Sequence, residues 1–371
     1  MTPAPRREWL PVLALALLGR ALVYAAAAMA NAVAGAGRNA SELLCSWDCG
    51  WYFSIAYDGY QAAPAQHPSG DAANWAFFPL FPLATRALMP LVRLTGLPAE
   101  WAGQIVSNAA FVLALLLLHR MLRRSLNAAD SLFISALLAF SPYGVYFSAP
   151  YTESLYLLLM VLCLALARDG RWLAAGAAAA ALSATRNLGV FIVLPLLALA
   201  VAQHGWRPLL RAAPGTEGAW FALALAPLGL SAYMLFLHGL VGDALAFKHV
   251  QIAWGGQIGN PLAVIWEGLA GDEIYPRLCA LALLAGLAAA LWLWRRGWAA
   301  EAWVLALGAL IPAAVRLASA PRYVFTLYPL YLALGLLLQR WPRARWALLL
   351  AALPATAALV TAWVLQRPWT T

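Results

Sequence analysis

Apolar runs of bilayer-spanning length recur along this chain, and no other feature limits its fold so severely. FALALAPLGLSAYMLFL (221–237) and ALLLAALPATAALVTAWVL (347–365) are two of them. A spanning helix needs about 20 predominantly apolar residues. Hydrophobic residues make up 64% of the 371 and charged residues only 11%. A soluble chain of this length could not hide so much apolar surface. The pattern predicts an all-α polytopic membrane protein, a single transmembrane domain over 1–371. No soluble domain, low-complexity tail or internal repeat is visible.

Eleven spans are expected, at about 9–29, 100–118, 131–147, 151–167, 172–185, 188–203, 219–237, 277–294, 300–315, 323–338 and 346–365. The first follows Arg6-Arg7 and is long enough to remain as a signal anchor. Alanine runs such as AAGAAAAAL (174–182) predict close helix packing.

The net charge of +9 does not point to nucleic acid, because the basic residues sit in short loops between apolar runs. Counting outward from Arg6 and Arg7, alternate loops hold 14 of the 24 Lys and Arg but only five of the 15 acids. The remainder of the chain is neutral. By the positive-inside rule the N-terminus is cytoplasmic and the chain is a multi-pass protein of the inner (cell) membrane. FFPLFPLATRALMPLVRL (77–94) carries Arg86, Arg93 and three prolines. Counting it as a span would put the later basic loops outside, so it is expected to lie in the outer interface or to dip partway in. Two long outer loops result, at about 30–99 and 238–276.

The first outer loop contains SWDCGWYFSIAYDGY (46–60), which places Asp48 and Asp58 among aromatic residues. Asp48 begins an expected helix, shares a face with Tyr52 and Ile55, and precedes Gly59, a residue suited to ending it. Asp48 either caps that helix or does chemistry. Cys45 and Cys49 flank it. A disulfide is open to them outside the cytoplasm, but helical geometry at that spacing suits one poorly. Two thiols with no nearby histidine do not make a metal site. Cys163 and Cys279 lie in apolar runs as inert core.

The other charges expected near outer helix ends are Glu153, Arg186, Lys248, His249, Arg316 and Arg322. Transfer of a group from an anionic lipid donor needs a base near the acceptor hydroxyl, cations for the departing phosphate and an apolar cleft. The outer-face inventory could supply all three on one membrane face. Each residue also has a plain alternative. Glu153 sits in a turn or caps a helix, Arg186 snorkels, and Arg322 anchors an interface or meets phosphate at a helix start. Lys248 and His249 face water or bind phosphate. Trp254 stacks on a sugar or belongs to an aromatic belt. A lipid-linked sugar flippase or small-solute transporter fits the spacing nearly as well, although a transporter tends to place its charges at the midplane. An inactive scaffold subunit is a further alternative.

Four motifs in order resemble the PIG-V family of mannosyltransferases: WDCGWYFSIAYDGY (47–60), FFPLFPL (77–83), SPYGVYFSAPYTESLY (141–156) and TRNLG (185–189). PRY (321–323) is similar to a phosphate-side arginine of lipid-dependent glycosyltransferases. The resemblance implies a GT-C fold with its site on the periplasmic or luminal face. It also implies a polyprenyl-phosphate-mannose donor, no cofactor or catalytic metal, and inversion with Asp48 as general base. Glu153 would support the base or orient the acceptor. Arg322, with Arg186, Lys248 and His249, would hold donor phosphate. Trp47, Trp51, Tyr52, Asn187 and Trp254 would shape the sugar and acceptor pocket. Leu188 interrupts the fourth motif, which weakens the match at Arg186 and Asn187. The short, alanine- and arginine-rich chain looks bacterial. Its expected partners are the bilayer, the lipid donor and a glycolipid, glycan or protein acceptor.

Overall fold

The computed structural model describes residues 8–67, 70–256, 259–314 and 317–370. Arg6, Arg7 and Arg316 lie outside them. Helix α1 (Trp9–Ala34) enters the first long loop, which folds into α2 (Cys49–Asp58), an antiparallel pair β1 (Ala65–His67) and β2 (Gly70–Ala72), and α3 (Leu80–Leu94). Then come α4 (Trp101–Leu122), α5 (Ala128–Ala139), a 3-10 strap over Pro142–Phe147, α6 (Glu153–Arg168) and α7 (Trp172–Ser183). A 3-10 turn (Asn187–Ile192) leads into α8 (Val193–His204), followed by α9 (Trp206–Leu210), α10 (Glu217–Leu225) and α11 (Leu228–Val241). The second long loop carries α12 (Ala246–His249), a 3-10 turn (Val250–Trp254) and α13 (Pro261–Ala270). The chain ends with α14 (Ile274–Arg295), α15 (Ala299–Ala313), α16 (Ala320–Phe325), α17 (Tyr328–Leu337) and α18 (Pro342–Val364).

Helix occupies all eleven expected segments. Six are long and apolar enough to cross a membrane: Trp9–Ala34, Trp101–Leu122, Asn187–His204, Glu217–Val241, Ile274–Arg295 and Pro342–Val364. The other five rest on α5, α6, α7, α15 and α17, of 12, 16, 12, 15 and 10 residues. At a rise of about 1.5 Å per residue they extend roughly 15–24 Å, less than a hydrocarbon core of about 30 Å. Local sequence shortens them. Pro142 disfavours helix at Ser141, just beyond the end of α5, and Pro329 near the start of α17 separates it from α16.

Where α5 stops, a mid-helix arginine takes over its last carbonyl and braces the strap that follows. Arg20 of α1 is buried and donates to Ala139 O (3.2 Å), Gly144 O (2.7 Å) and Ser148 Oγ (3.0 Å). Its guanidinium lies 4.2 Å from the Phe111 ring centroid. Immediately before it in α1, a Cβ on Gly19 would fall 2.2 Å from Ala139 O, so only glycine admits this approach. The alanine-rich α7 packs closely too: a Cβ on Gly176 would lie 2.8 Å from the Ala222 backbone of α10.

Helix α3 is the segment expected in the interface. It buries Phe81, Thr85, Met89 and Val92 along one face and exposes Leu83, Leu91 and Leu94 on the other. It is not among the helices long and apolar enough to cross a membrane. Its first N–H, from Leu80, donates to Ala184 O (3.1 Å), which ties α3 to the end of α7.

Candidate active site

Four charged side chains from four parts of the chain meet at one end of the helix bundle. Arg322 of α16 donates through Nη1 to Asp48 Oδ2 (3.1 Å) and through Nε to Glu153 Oε1 (2.5 Å). Arg186 donates through Nη1 to the same Glu153 oxygen (3.1 Å). The order is Asp48, Arg322, Glu153, Arg186, two of each sign. Burial alone would disfavour each charge, and mutual pairing offsets that penalty. The Glu153 side chain is 0% exposed and that of Asp48 32%. Glu153 is therefore the floor of the cluster and Asp48 its accessible rim.

Helix ends deliver these groups. Glu153 opens α6, Arg186 follows α7, Arg322 lies in the short α16 beyond α15, and Asp48 precedes α2. Aromatic rings line the arginines. The Arg322 guanidinium is 4.9 Å from the Tyr146 centroid and 4.8 Å from that of Tyr151. Arg186 lies over Tyr323 (5.0 Å) and Tyr156 (5.9 Å). These cation–π contacts suit weakly hydrated guanidinium better than ammonium.

Asp48 occupies the N-cap position of α2, but its side chain makes no cap bond. The capping alternative is thus replaced by the ion pair with Arg322. The backbone around Asp48 is held firmly. Tyr151 Oη accepts the Asp48 N–H (2.9 Å) and donates to Ser46 O (2.7 Å). Trp47 between them has φ 55°, a left-handed conformation unusual for a bulky residue. Its indole Nε1 donates to Thr370 Oγ1 (3.1 Å). Trp47 thus seats the loop on the C-terminal segment.

Cys45 and Cys49 are bonded, with Cα atoms 5.3 Å apart, against the expectation that their spacing suits a bond poorly. The reason is that Cys45 lies in the turn before α2 and only Cys49 in the helix. Arg38 closes the same turn by donating to Cys45 O (3.2 Å) and Ser46 Oγ (2.8 Å).

The remaining expected residues divide. Tyr52 is buried edge-on to Phe77, Phe81 and Tyr151, and burial pushes its phenol pKa up. Trp51 stacks on Phe77 (5.9 Å) and meets Trp254 edge-on (5.6 Å), so the second long loop does reach the first. Lys248 and His249 are not brought into the cluster. Both are exposed on α12, which packs on Asn74–Ala76, and His249 Nδ1 bonds Asp243 Oδ2 (2.7 Å). Asn187 is exposed, and its Oδ1 accepts the N–H of Leu188 (2.9 Å). Gly189 is required by packing, since a Cβ there would lie 2.2 Å from Leu182 O. Sequence reasoning passed over Tyr146, Tyr151 and Tyr323. All three stood within the quoted SPYGVYFSAPYTESLY and PRY stretches, Tyr151 two residues before Glu153 and Tyr323 one after Arg322.

Two buried polar atoms at the floor, Thr152 Oγ1 and Glu153 Oε2, have no hydrogen-bond partner. Buried polar atoms rarely go unpaired, and such exceptions mark places where a ligand or water belongs. Beside the cluster a narrow apolar crevice is lined by Tyr156, Met160, Leu188, Phe191 and Val304. Among the described residues no group of three or more His, Cys, Asp or Glu could hold a metal ion.

These features define an integral membrane protein of short and long helices with a buried carboxylate–arginine cluster at one end. Residues 16–190, just under half of the chain, match the family model for mannosyltransferase (PIG-V). Among curated proteins it is similar to GPI alpha-1,6-mannosyltransferase 2 of Rattus norvegicus, 34% identical over 157 residues, or 40% of this chain. It is also similar to GPI mannosyltransferase 2 of Chaetomium globosum, 31% identical over 140 residues, or 34% of this chain. The matches span 30% and 28% of those relatives' lengths. Among solved structures, the archaeal oligosaccharyltransferase AglB of Archaeoglobus fulgidus, in complex with an inhibitory peptide and a dolichol-phosphate, aligns with a TM-score of 0.47 at 14% identity. That alignment covers 94% of this chain and 56% of AglB.

Proposed function

We propose that this protein transfers mannose from a polyprenyl-phosphate donor to an acceptor hydroxyl, with inversion, at the Asp48 cluster. The carrying observation is the pairing of a partly exposed carboxylate with a buried guanidinium on one rim. Asp48 accepts the proton of the acceptor hydroxyl as its oxygen attacks the anomeric carbon. The bond from that carbon to the phosphate oxygen breaks, and polyprenyl phosphate leaves. Arg322 and Arg186 stabilise its charge. Glu153 orients both arginines, and Thr152 Oγ1 and Glu153 Oε2 receive a sugar or acceptor hydroxyl.

Helix lengths support a lipid-borne donor. Helices α6 and α7 are short, which recesses the cluster toward the depth where a lipid phosphate sits. The crevice beside Tyr156 and the exposed leucines of α3 suit its chain. The site is taken to lie on the periplasmic face, opposite the basic loops, of a GT-C-type enzyme in the inner membrane. The acceptor is a glycolipid, glycan or protein hydroxyl. No cofactor is assigned, and transfer is proposed to be independent of metal.

The test incubates purified protein with radiolabelled polyprenyl-phosphate mannose and a membrane lipid extract, with and without EDTA, beside Asp48→Asn. Label moving to a new product in both wild-type tubes and not in the variant is the expected result. Donor movement across vesicles without transfer would instead establish a flippase.

A further inference from the structure

The opposite end of α6 carries a second buried pair, and beside it a cavity that the proposed transfer does not use. Arg168, the last residue of α6, donates to Glu301 Oε1 (2.5 Å), and Tyr328 Oη donates to the same oxygen (2.9 Å). Glu301 is fully buried, and its Oε2 has no partner. Glu301 and Arg168 line a cavity of ≈ 260 Å³ together with Arg296, Trp298 and the α8 residues Leu199 and Ala202. Sixteen residues of helix put this cavity roughly 22 Å from Glu153, at the end where the short basic loops lie.

The cavity holds the elements of an anion site with one further demand. Arg296 is exposed, stacks on Trp292 (4.7 Å) and has no carboxylate partner among the described residues. Ala299 and Ala300, the first residues of α15, also line the cavity, and first-turn N–H groups have no partner within their own helix. Glu301 Oε2 meanwhile needs a hydrogen-bond donor. An ammonium would supply one but would face the two arginines, whereas a hydroxyl adds no charge. The volume lies just below the range of small-molecule pockets. It suits a headgroup rather than a whole lipid, and the apolar α8 wall suits the start of an acyl chain.

We propose that this cavity binds a hydroxyl-bearing phosphate ester, the headgroup of an anionic glycerol-type phospholipid in the leaflet at that end. Phosphate meets Arg296 and the start of α15, and a headgroup hydroxyl donates to Glu301 Oε2. The inference stands apart from the transferase reading and does not need it.

The test is native mass spectrometry of the full-length, delipidated protein. It is titrated in turn with short-chain phosphatidylglycerol, phosphatidylethanolamine, phosphatidylcholine and inorganic phosphate. Arg296→Gln and the cavity-filling Ala202→Trp run alongside, with thermal unfolding to confirm that both remain folded. Phosphatidylglycerol should bind at least tenfold more tightly than phosphatidylcholine, and Arg296→Gln should cost about tenfold, as for one charge-assisted hydrogen bond. Inorganic phosphate binding as tightly, with the same Arg296→Gln loss, would keep the anion site and make its source free phosphate. Preference for phosphatidylethanolamine, equal binding of all three lipids, or phosphatidylglycerol binding undiminished in both variants would overturn the proposal.

Discussion

The two ends of α6 present the same device with different surroundings. At one end Glu153 is buried against Arg186 and Arg322; at the other Glu301 is buried against Arg168 and Tyr328. Each glutamate uses Oε1 for its partners and leaves Oε2 unpaired. A buried carboxylate–guanidinium pair is therefore a recurrent way for this fold to pin helix ends, and is not by itself a sign of catalysis. The difference is Asp48. It adds a second carboxylate, reachable from outside, on the far side of Arg322. Among the described residues, the cavity at the other end is lined by no carboxylate besides Glu301.

The sharpest way to break this comparison is Asp48→Asn. It keeps the shape and removes the base, so transfer should fall by about 10²–10⁴-fold while donor binding persists. A near wild-type rate would remove Asp48 from the mechanism. Next is Glu301→Ala, which strands Arg168 and should destabilise the protein by about 3–5 kcal/mol, read as a lower thermal midpoint in detergent. Transfer per folded molecule should be unchanged. A loss of turnover matching that of Asp48→Asn would mean that both ends serve the reaction. Arg322→Lys keeps the charge but loses the fork that reaches two carboxylates. It should weaken donor binding about tenfold, measured by titration of polyprenyl-phosphate mannose.

Smaller effects probe the loop that carries Asp48. Replacing Cys45 and Cys49 by serine opens a very short covalent loop and should cost about 2 kcal/mol by loop entropy. The rate should fall because Asp48 loosens; an unchanged rate would show that Tyr151 and Arg38 suffice to hold it. The smallest effect is expected at Asp243, whose side chain is 42% exposed. Its hydrogen bond from His249 holds its pKa below the usual value. A depressed carboxylate pKa adds stability above the unfolded-state value, and this is lost as pH falls through the folded one. Asp243→Asn should thus cost less than about 1 kcal/mol near neutrality and nothing in strong acid. A cost that persists there would have to come from packing.

Much of the site was legible because it is written locally. Asp48, Glu153 and Arg322 each stand beside aromatic residues in otherwise apolar sequence, and a charge in such a setting needs a partner or a task. Lys248 and His249 looked alike on paper and do not join the cluster. Nothing in AFKHVQ distinguishes a turn that faces the site from one that faces outward. The role of Tyr151 was hidden for the opposite reason, because a tyrosine at a helix start reads as interface unless its hydroxyl partner, 105 residues away, is known.

The sequence by itself determined the predominantly helical membrane architecture, the positions of its eleven helical segments and the motifs that resemble the PIG-V family. These follow from hydropathy and short-range pattern, which need no knowledge of neighbours. Only the tertiary structure decided which segments stop short, that Arg20 closes the open end of α5, and that Cys45 meets Cys49 across a turn. It also decided that Asp48 faces Arg322 instead of capping its helix. Each of these rests on contacts between groups distant in sequence or on the backbone path through a turn, and hydropathy carries no record of either.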